Sequence, residues 1–297
     1  MSVAPGDLLR DTSLAPDPDR PGRYGGSIPE AWKVVYAFGG VTMTASLRAM
    51  EAHLERPDLP LVTANAIFCA PVPCGPVTVD VEVLRNGRGA AQVGSNLFVP
   101  GVDGVALRTH GVFGRPHDTD LAFRDVEFPA DVAMPDECDP APPRPADDPW
   151  PEINFHEQTE WLPALPFARP GEVRVTEPKV GERARFAAWT RLRVEPLRAD
   201  GTYDMLALAV PSDSIGAAIG QGLAGQLRNF MSLSLEIGIR FIRPPEGQWV
   251  LQHMRCWHCG DGYATGPTEL WDECGNLLAI AQQTAHLRRA NFAAKTA

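Results

Sequence analysis

The feature that most narrows what this 297-residue chain can fold into is that it repeats itself. Phe68 and Phe241, Pro71 and Pro244, Gly87 and Gly260, Gly89 and Gly262, and Leu97 and Leu270 each stand 173 positions apart, with no gap between them. Shared Gly and Pro alone would mean little in a chain with 27 of one and 29 of the other. The shared order carries more weight: in both halves an apolar helix-like segment precedes Phe-x-x-Pro, and strands follow around a Gly-x-Gly turn. Self-similarity at one fixed offset marks a duplication.

Side-chain periodicity fills in the repeat. Val77, Val79, Val81 and Val83 alternate with Thr78, Asp80 and Glu82, so a period of two puts the valines on one face of a strand. Leu233, Leu235, Ile237, Ile239 and Phe241 alternate in the same way with Ser232, Ser234, Glu236, Gly238 and Arg240. Further strands are predicted over Leu61 to Phe68, Gln92 to Val99, Val105 to Phe113, Val250 to Trp257, Tyr263 to Trp271 and Leu277 to Leu287, with Gly-containing turns between them. GGVTMTASLRAMEAHLERP reads as the helix of the first half, stopping before Pro57. TYDMLALAVPSDSIGAAIGQGL holds that of the second, interrupted near Pro211. Two units, each with one apolar helix and about five antiparallel strands, define an α+β fold in which a sheet wraps a central helix, twice.

Proline crowding from Pro129 to Pro170, around the acid-rich PDECDPAPPRPADDPWP, reads as a connection between the units. The predicted organisation is a tail over 1–24, a first unit over 25–117, a Pro-rich linker over 118–155, a second unit over 156–290 and a tail over 291–297. A net charge of −10 tells against a nucleic-acid partner. No apolar run approaches the ~20 residues that cross a bilayer. The first residues have acids and prolines where a signal peptide would have a basic start and an apolar stretch, so a cytoplasmic protein is expected. Six cysteines do not suggest a disulfide scaffold. Cys256 and Cys259, with His253 and His258 nearby, form a C-x-x-C, but residues three apart on a strand face opposite sides and no second pair completes a ligand set; neither metal nor cofactor is expected.

Three segments resemble one known family. YAFGGVTMTASLRA is similar to the Phe-Gly-Gly helix start of the acyl-CoA thioesterase II family, GPVTVDVEVLRNGR to its Pro-x-x-x-x-Val-Glu-x-Leu-Arg-x-Gly-Arg strand and turn, and GDGYATGPTELWDECGNLLAIAQQTAHLR to its C-terminal hairpin. The resemblance runs from about Tyr36 to Arg288 and implies a double-hotdog fold. It also implies that Asp213, Ser234 and Gln283 orient a hydrolytic water, with serine standing where the family usually has threonine. The hydroxyl survives that change; the stiff β-branched rotamer does not.

By the same resemblance the substrate is an acyl-CoA and the chain pairs with further copies as a homo-oligomer; the lack of a long apolar run implies no membrane partner. A thioester needs a deprotonated water and donors for the oxygen that gathers charge. Gly39 and Gly40, at a helix start with orphan N–H groups, are the expected oxyanion donors. Arg85 and Arg88 are weaker candidates for the phosphates of coenzyme A. In the first half Arg48 and Thr109 fall near the places of Asp213 and Gln283, so a single site is expected. Other readings stay open. Asp213 also suits a turn cap. Strict alternation puts Ser234 on the face away from the leucines, and a one-residue slip would exchange Gln283 for Gln282. A noncatalytic acyl-CoA-binding module, or an acyl-thioester enzyme such as an enoyl-CoA hydratase, would use the same scaffold.

Overall fold

A computed structural model describes residues 5–141, 153–165, 184–222 and 230–289. In the first repeat α2 (Gly39–Leu54) is wrapped by β2 (Arg23–Ile28), β3 (Leu61–Phe68), β4 (Gly75–Asn86), β5 (Ala90–Phe98) and β6 (Leu107–Gly114). Nearly every side of α2 is buried, from Val41 through Met43, Ala45 and Leu47 to Met50, as expected of a helix that is apolar all round. Glu55 ends it in the left-handed region (φ 51°), two residues before Pro57. Val77, Val79, Val93 and Leu97 of the sheet meet it in one core. Each such fully buried aliphatic side chain contributes about 1.5–3 kcal/mol.

The second repeat is built from β8 (Arg185–Leu192), a 3₁₀ turn at Met205–Leu208, α4 (Ala209–Ser212), α5 (Ile215–Gly222), β9 (Phe230–Phe241), β10 (Val250–Arg255), β11 (His258–Gly260), β12 (Tyr263–Asp272) and β13 (Leu277–Arg289). Long β4 is answered here by the shorter β10 and β11, parted at Cys256 and Trp257. Trp257 is 69% exposed there, whereas Trp271 is fully buried. The strands of both repeats join in one antiparallel sheet, ordered β2-β4-β5-β6-β3-β9-β13-β12-β10-β8 through its middle. The seam is the β3–β9 pairing, where Asn65 faces Gly238 across the sheet. Those two residues are 173 apart, so the pseudo-twofold axis relating the repeats passes through that pair.

Described parts of the N-terminal tail and of the Pro-rich linker pack against the two repeats. The N-terminal stretch over 1–24 carries α1 (Leu8–Thr12) and β1 (Ala15–Pro16), the latter paired with β2. Leu8 is buried, and Trp32 donates its indole N–H to Asp11 at 2.9 Å. Of the Pro-rich connection, residues 118–141 and 153–155 are described, and much of the first stretch lies on the outer face of the second repeat. Phe128 stacks on Trp189 (centroids 6.3 Å apart) and meets Trp271 edge-on (5.6 Å), and Val132 is buried with them. Beyond it α3 (Phe155–Gln158) leads into β7 (Thr159–Pro163), the strand beside β8. Residues 142–152 and the tail over 291–297 lie outside the described residues. No described helix is long and apolar enough to cross a membrane.

Candidate active site

The helix of the second repeat is interrupted at Asp213, two residues later than Pro211. Proline is tolerated in the first turn of α4 because the N–H it lacks has no helical partner there. Asp213 (φ −99°, ψ 63°) separates α4 from α5 and turns its carboxylate toward the first repeat. It is 6% exposed. Oδ2 accepts the backbone N–H of Gly40 at 2.9 Å, while Oδ1 accepts the Ser234 hydroxyl at 2.7 Å and the Gln283 amide at 2.6 Å. Burial pushes the Asp213 carboxyl above the usual carboxylate range; the hydrogen bonds from Ser234, Gly40 and Gln283 pull the other way.

The glycine pair permits this approach. A Cβ on Gly39 would overlap Asp213 Oδ2 and stand 3.1 Å from the Phe68 ring, and one on Gly40 would sit 2.6 Å from the Ala209 carbonyl. The Gly40 N–H, expected to be open to an oxyanion, is therefore already engaged: it holds the carboxylate.

Ser234 reaches Asp213 through an irregularity invisible in its sequence. In the β9–β13 register Glu236 faces Thr284 and Ser234 faces Ala285, leaving Leu235 as an extra residue. That bulge inverts the alternation, so Ser234 changes face and points inward. The strict Leu-Ser pattern predicted the opposite. Gln283, also inward and 2% exposed, donates to Ser234 Oγ at 2.7 Å as well as to Asp213, and its carbonyl accepts the Ile215 N–H at 2.9 Å. Gln282 is exposed, which resolves the choice between neighbours.

The other predicted positions are not brought here. Arg85 and Arg88 are exposed where β4 turns into β5, the end of the sheet opposite the one where Phe68 and Gly39 meet Asp213. Strand register, not charge, decides which end a residue occupies. Arg48 instead donates to the buried carboxylate of Asp204 at 2.5 Å, and the buried Thr109 hydroxyl has no partner among the described residues. Within the C-x-x-C neighbourhood both nitrogens of His253 are engaged: Nε2 accepts from Arg185 Nε at 2.7 Å, and Nδ1 donates to Glu269 at 2.9 Å.

Asp213, Ser234 and Gln283 form part of the wall of a cavity of about 1780 Å³. Aromatic side chains line much of the rest, among them Phe38, Phe68, Trp161, Phe186 and Phe230. Phe38 is stacked on Phe155 with centroids 4.1 Å apart. An apolar chamber with a few convergent polar groups suits a ligand that is mostly hydrocarbon with one reactive polar function.

A helix wrapped by an antiparallel sheet, duplicated, with a buried carboxylate on the seam between the copies, defines a double-hotdog protein. The chain matches the acyl-CoA thioesterase N-terminal domain over residues 28–114 and the acyl-CoA thioesterase C-terminal domain over residues 135–287, and it belongs to that family. Among solved structures it resembles a hot dog fold protein of unknown function from Alicyclobacillus acidocaldarius (20% identity, TM-score 0.77, 95% of this chain and 98% of that one). It also resembles a candidate thioesterase II from Thermobifida fusca (20%, 0.76, 97% and 100%) and an acyl-CoA thioesterase II from Mycobacterium marinum (19%, 0.72, 96% and 99%). These likenesses establish the fold. No curated protein matches the sequence.

Proposed function

We propose that this chain hydrolyses acyl-CoA thioesters to a free acid and coenzyme A by direct attack of water, with Asp213 as the base and Ser234 and Gln283 as the groups that aim the water. The observation that carries the reading is the closed set of hydrogen bonds, 2.6–2.7 Å long, joining those three side chains at the cavity wall. Burial makes the Asp213 carboxylate a stronger base than one in water, which suits it to take a proton from so weak an acid. A water entering the site replaces the Gln283–Ser234 contact with bonds to itself, leaving a lone pair directed at the thioester carbon.

The steps balance without further reagents. Water gives a proton to Asp213 as its oxygen bonds to the carbonyl carbon. The tetrahedral intermediate then collapses, the C–S bond breaks, and the proton passes from Asp213 to the departing thiolate. Negative charge thus moves from the carboxylate to the carbonyl oxygen during attack. The α2 amides at Gly39 and Gly40 lie at a helix start that favours negative charge in either place, and once Asp213 is neutral they become available to the oxyanion.

The test is release of free thiol from a panel of acyl-CoAs differing in length, branching and aromaticity. Hydrolysis of at least one, lost in Asp213→Asn, supports the reading. Thermal stabilisation by acyl-CoAs with no thiol released by the wild-type chain would replace it with the noncatalytic binding module.

A further inference from the structure

The cavity reaches the outer face of the sheet through a notch. β3 pairs with β9 only as far as Ile67 with Glu236, so Phe230–Leu235 run on past the end of that pairing. The cavity touches both sides of this stretch: Ser232 and Ser234, directed inward, and Leu233 and Met231, paired on β13 with His286 and Arg288. Phe68–Val72 form its other wall, and His286 and Arg288 also line it. Tyr263 stacks on His286 (centroids 5.3 Å, 29° between planes), and exposed Arg288 donates from Nε to His286 Nδ1 at 3.3 Å. Arg289 lies over the Phe230 ring at 5.9 Å.

Charge distinguishes this rim from the rest of the cavity. Among the described residues neither Arg288 nor Arg289 meets a carboxylate, although the chain carries a net charge of −10. Arg191, another arginine on the cavity wall, is neutralised by Glu160 at 2.7 Å. Glu137 and Asp139 line the cavity beside the β7 end, four strand spacings from β13, or about 19 Å. The chamber therefore runs from an acidic end to a basic notch, with Asp213 on the basic side through its bond to Gln283.

We infer that the notch beside β9 receives the nucleotide end of coenzyme A, with Arg288 binding a phosphate and the Tyr263–His286 pair forming the rim on which the rest of the nucleotide rests. This rests on the thioesterase reading for the identity of the ligand. Arg288 stands five positions beyond Gln283 on β13, about 17 Å along an extended strand. An extended pantetheine arm spans such a gap, placing the sulfur at the trio and the phosphates at the rim. Arg288 then takes the role that sequence alone offered to Arg85 and Arg88.

The experiment compares an acyl-CoA with the S-acyl pantetheine of the same acyl group, which lacks the nucleotide. In Arg288→Glu, KM for the acyl-CoA rises about tenfold or more with kcat nearly unchanged, Arg288→Lys recovers most of the loss, and both constants for the pantetheine ester stay at wild-type values. Raising ionic strength from about 0.05 to about 0.5 M raises KM for the acyl-CoA alone. Equal effects on the two substrates, or none on either, overturn the inference. Calorimetric titration with coenzyme A separates this from the thioesterase reading. Tenfold weaker binding in Arg288→Glu keeps the notch even if the chain hydrolyses nothing, whereas hydrolysis with KM and coenzyme A binding unaltered in Arg288→Glu keeps the enzyme and discards the notch.

Discussion

The two repeats are alike in backbone and opposite in chemistry at corresponding positions. Gly40 stands 173 positions before Asp213, and Leu61 stands 173 before Ser234. Gln283 pairs with Ile237 on β9, while Ala64, the counterpart of Ile237, pairs with Gly111. The first repeat thus has glycine, leucine and glycine where the second has carboxylate, hydroxyl and amide, and Arg48 and Thr109 are not the counterparts. The bareness is a requirement. Gly40 and Asp213 touch across the pseudo-twofold axis, and a Cβ on Gly40 would lie 2.7 Å from the Val210 Cα. Two related helix starts cannot both carry a side chain into one gap. The Asp213 cluster consequently sits on the axis, with its carboxylate from one repeat and the amide that holds it from the other.

The sharpest way to break this asymmetry is Asp213→Asn. On either side its amide nitrogen would face a donor, the Gly40 N–H where Oδ2 stood or the Ser234 hydroxyl and Gln283 amide where Oδ1 stood, and no base would remain, so kcat for thiol release falls by about 10³ or more. The wild-type pH profile tests the same residue. With its pKa raised by burial, Asp213 is ionised only above the ordinary carboxylate range, so kcat/KM drops with falling pH along a limb centred above that range. A limb at an ordinary carboxylate value removes Asp213 as the base. The sign for folding is opposite: this group's stabilising contribution is full below its unfolded pKa and is lost as pH rises through the folded one.

Changes that disturb the geometry while keeping the carboxylate cost less. Gly39→Ala drives a methyl against Asp213 Oδ2 and Phe68, lowering kcat about a hundredfold and stability by about 1–3 kcal/mol in chemical denaturation. Gly25→Ala, which meets nothing within 4 Å, leaves both near wild type. Ser234→Ala removes one hydroxyl that donates to Asp213 and accepts from Gln283, and kcat falls about tenfold, a loss of about 1.4 kcal/mol. Ser234→Thr restores the hydroxyl with a stiffer rotamer, so kcat equals or exceeds that of wild type. A threonine variant as slow as alanine would mean the bulge cannot hold a branched side chain.

How much of this was legible depends on what each property needs. Strand β3 has the bounds that alternation predicts, Leu61 to Phe68, and the repeat was visible at its constant offset because both are local or periodic. The face of Ser234 was not legible, since the alternation of leucine and serine continues unbroken through Leu235 and only pairing with β13 reveals the extra residue. Asp213 on its own reads as a turn cap; resemblance singled it out, and the approach of Gly40 from 173 residues away shows what it touches. The fold of the N-terminal segment depends on Trp32 and Gln158, the latter accepting the Gly6 N–H at 2.6 Å, contacts that no local pattern announces. Arg85 and Arg88 were legible as cations but not in their place, at the end of the sheet opposite Asp213, which only strand register reveals.

The smallest expected effect separates two adjacent glutamines. Gln283 links three partners: it accepts from Ile215 at the start of α5 and donates to Asp213 and Ser234. Truncating it strands a buried N–H and loosens the carboxylate together. Gln282 is on the opposite face of the same strand, exposed. Gln282→Ala therefore changes kcat less than about twofold and stability by less than about 0.5 kcal/mol. A large loss from Gln282→Ala, with Gln283→Ala silent, would mean that β13 is shifted by one residue against β9. Such a shift would turn Ala285 and the whole inner row of β13 outward, so this near-silent substitution tests the register on which the site depends.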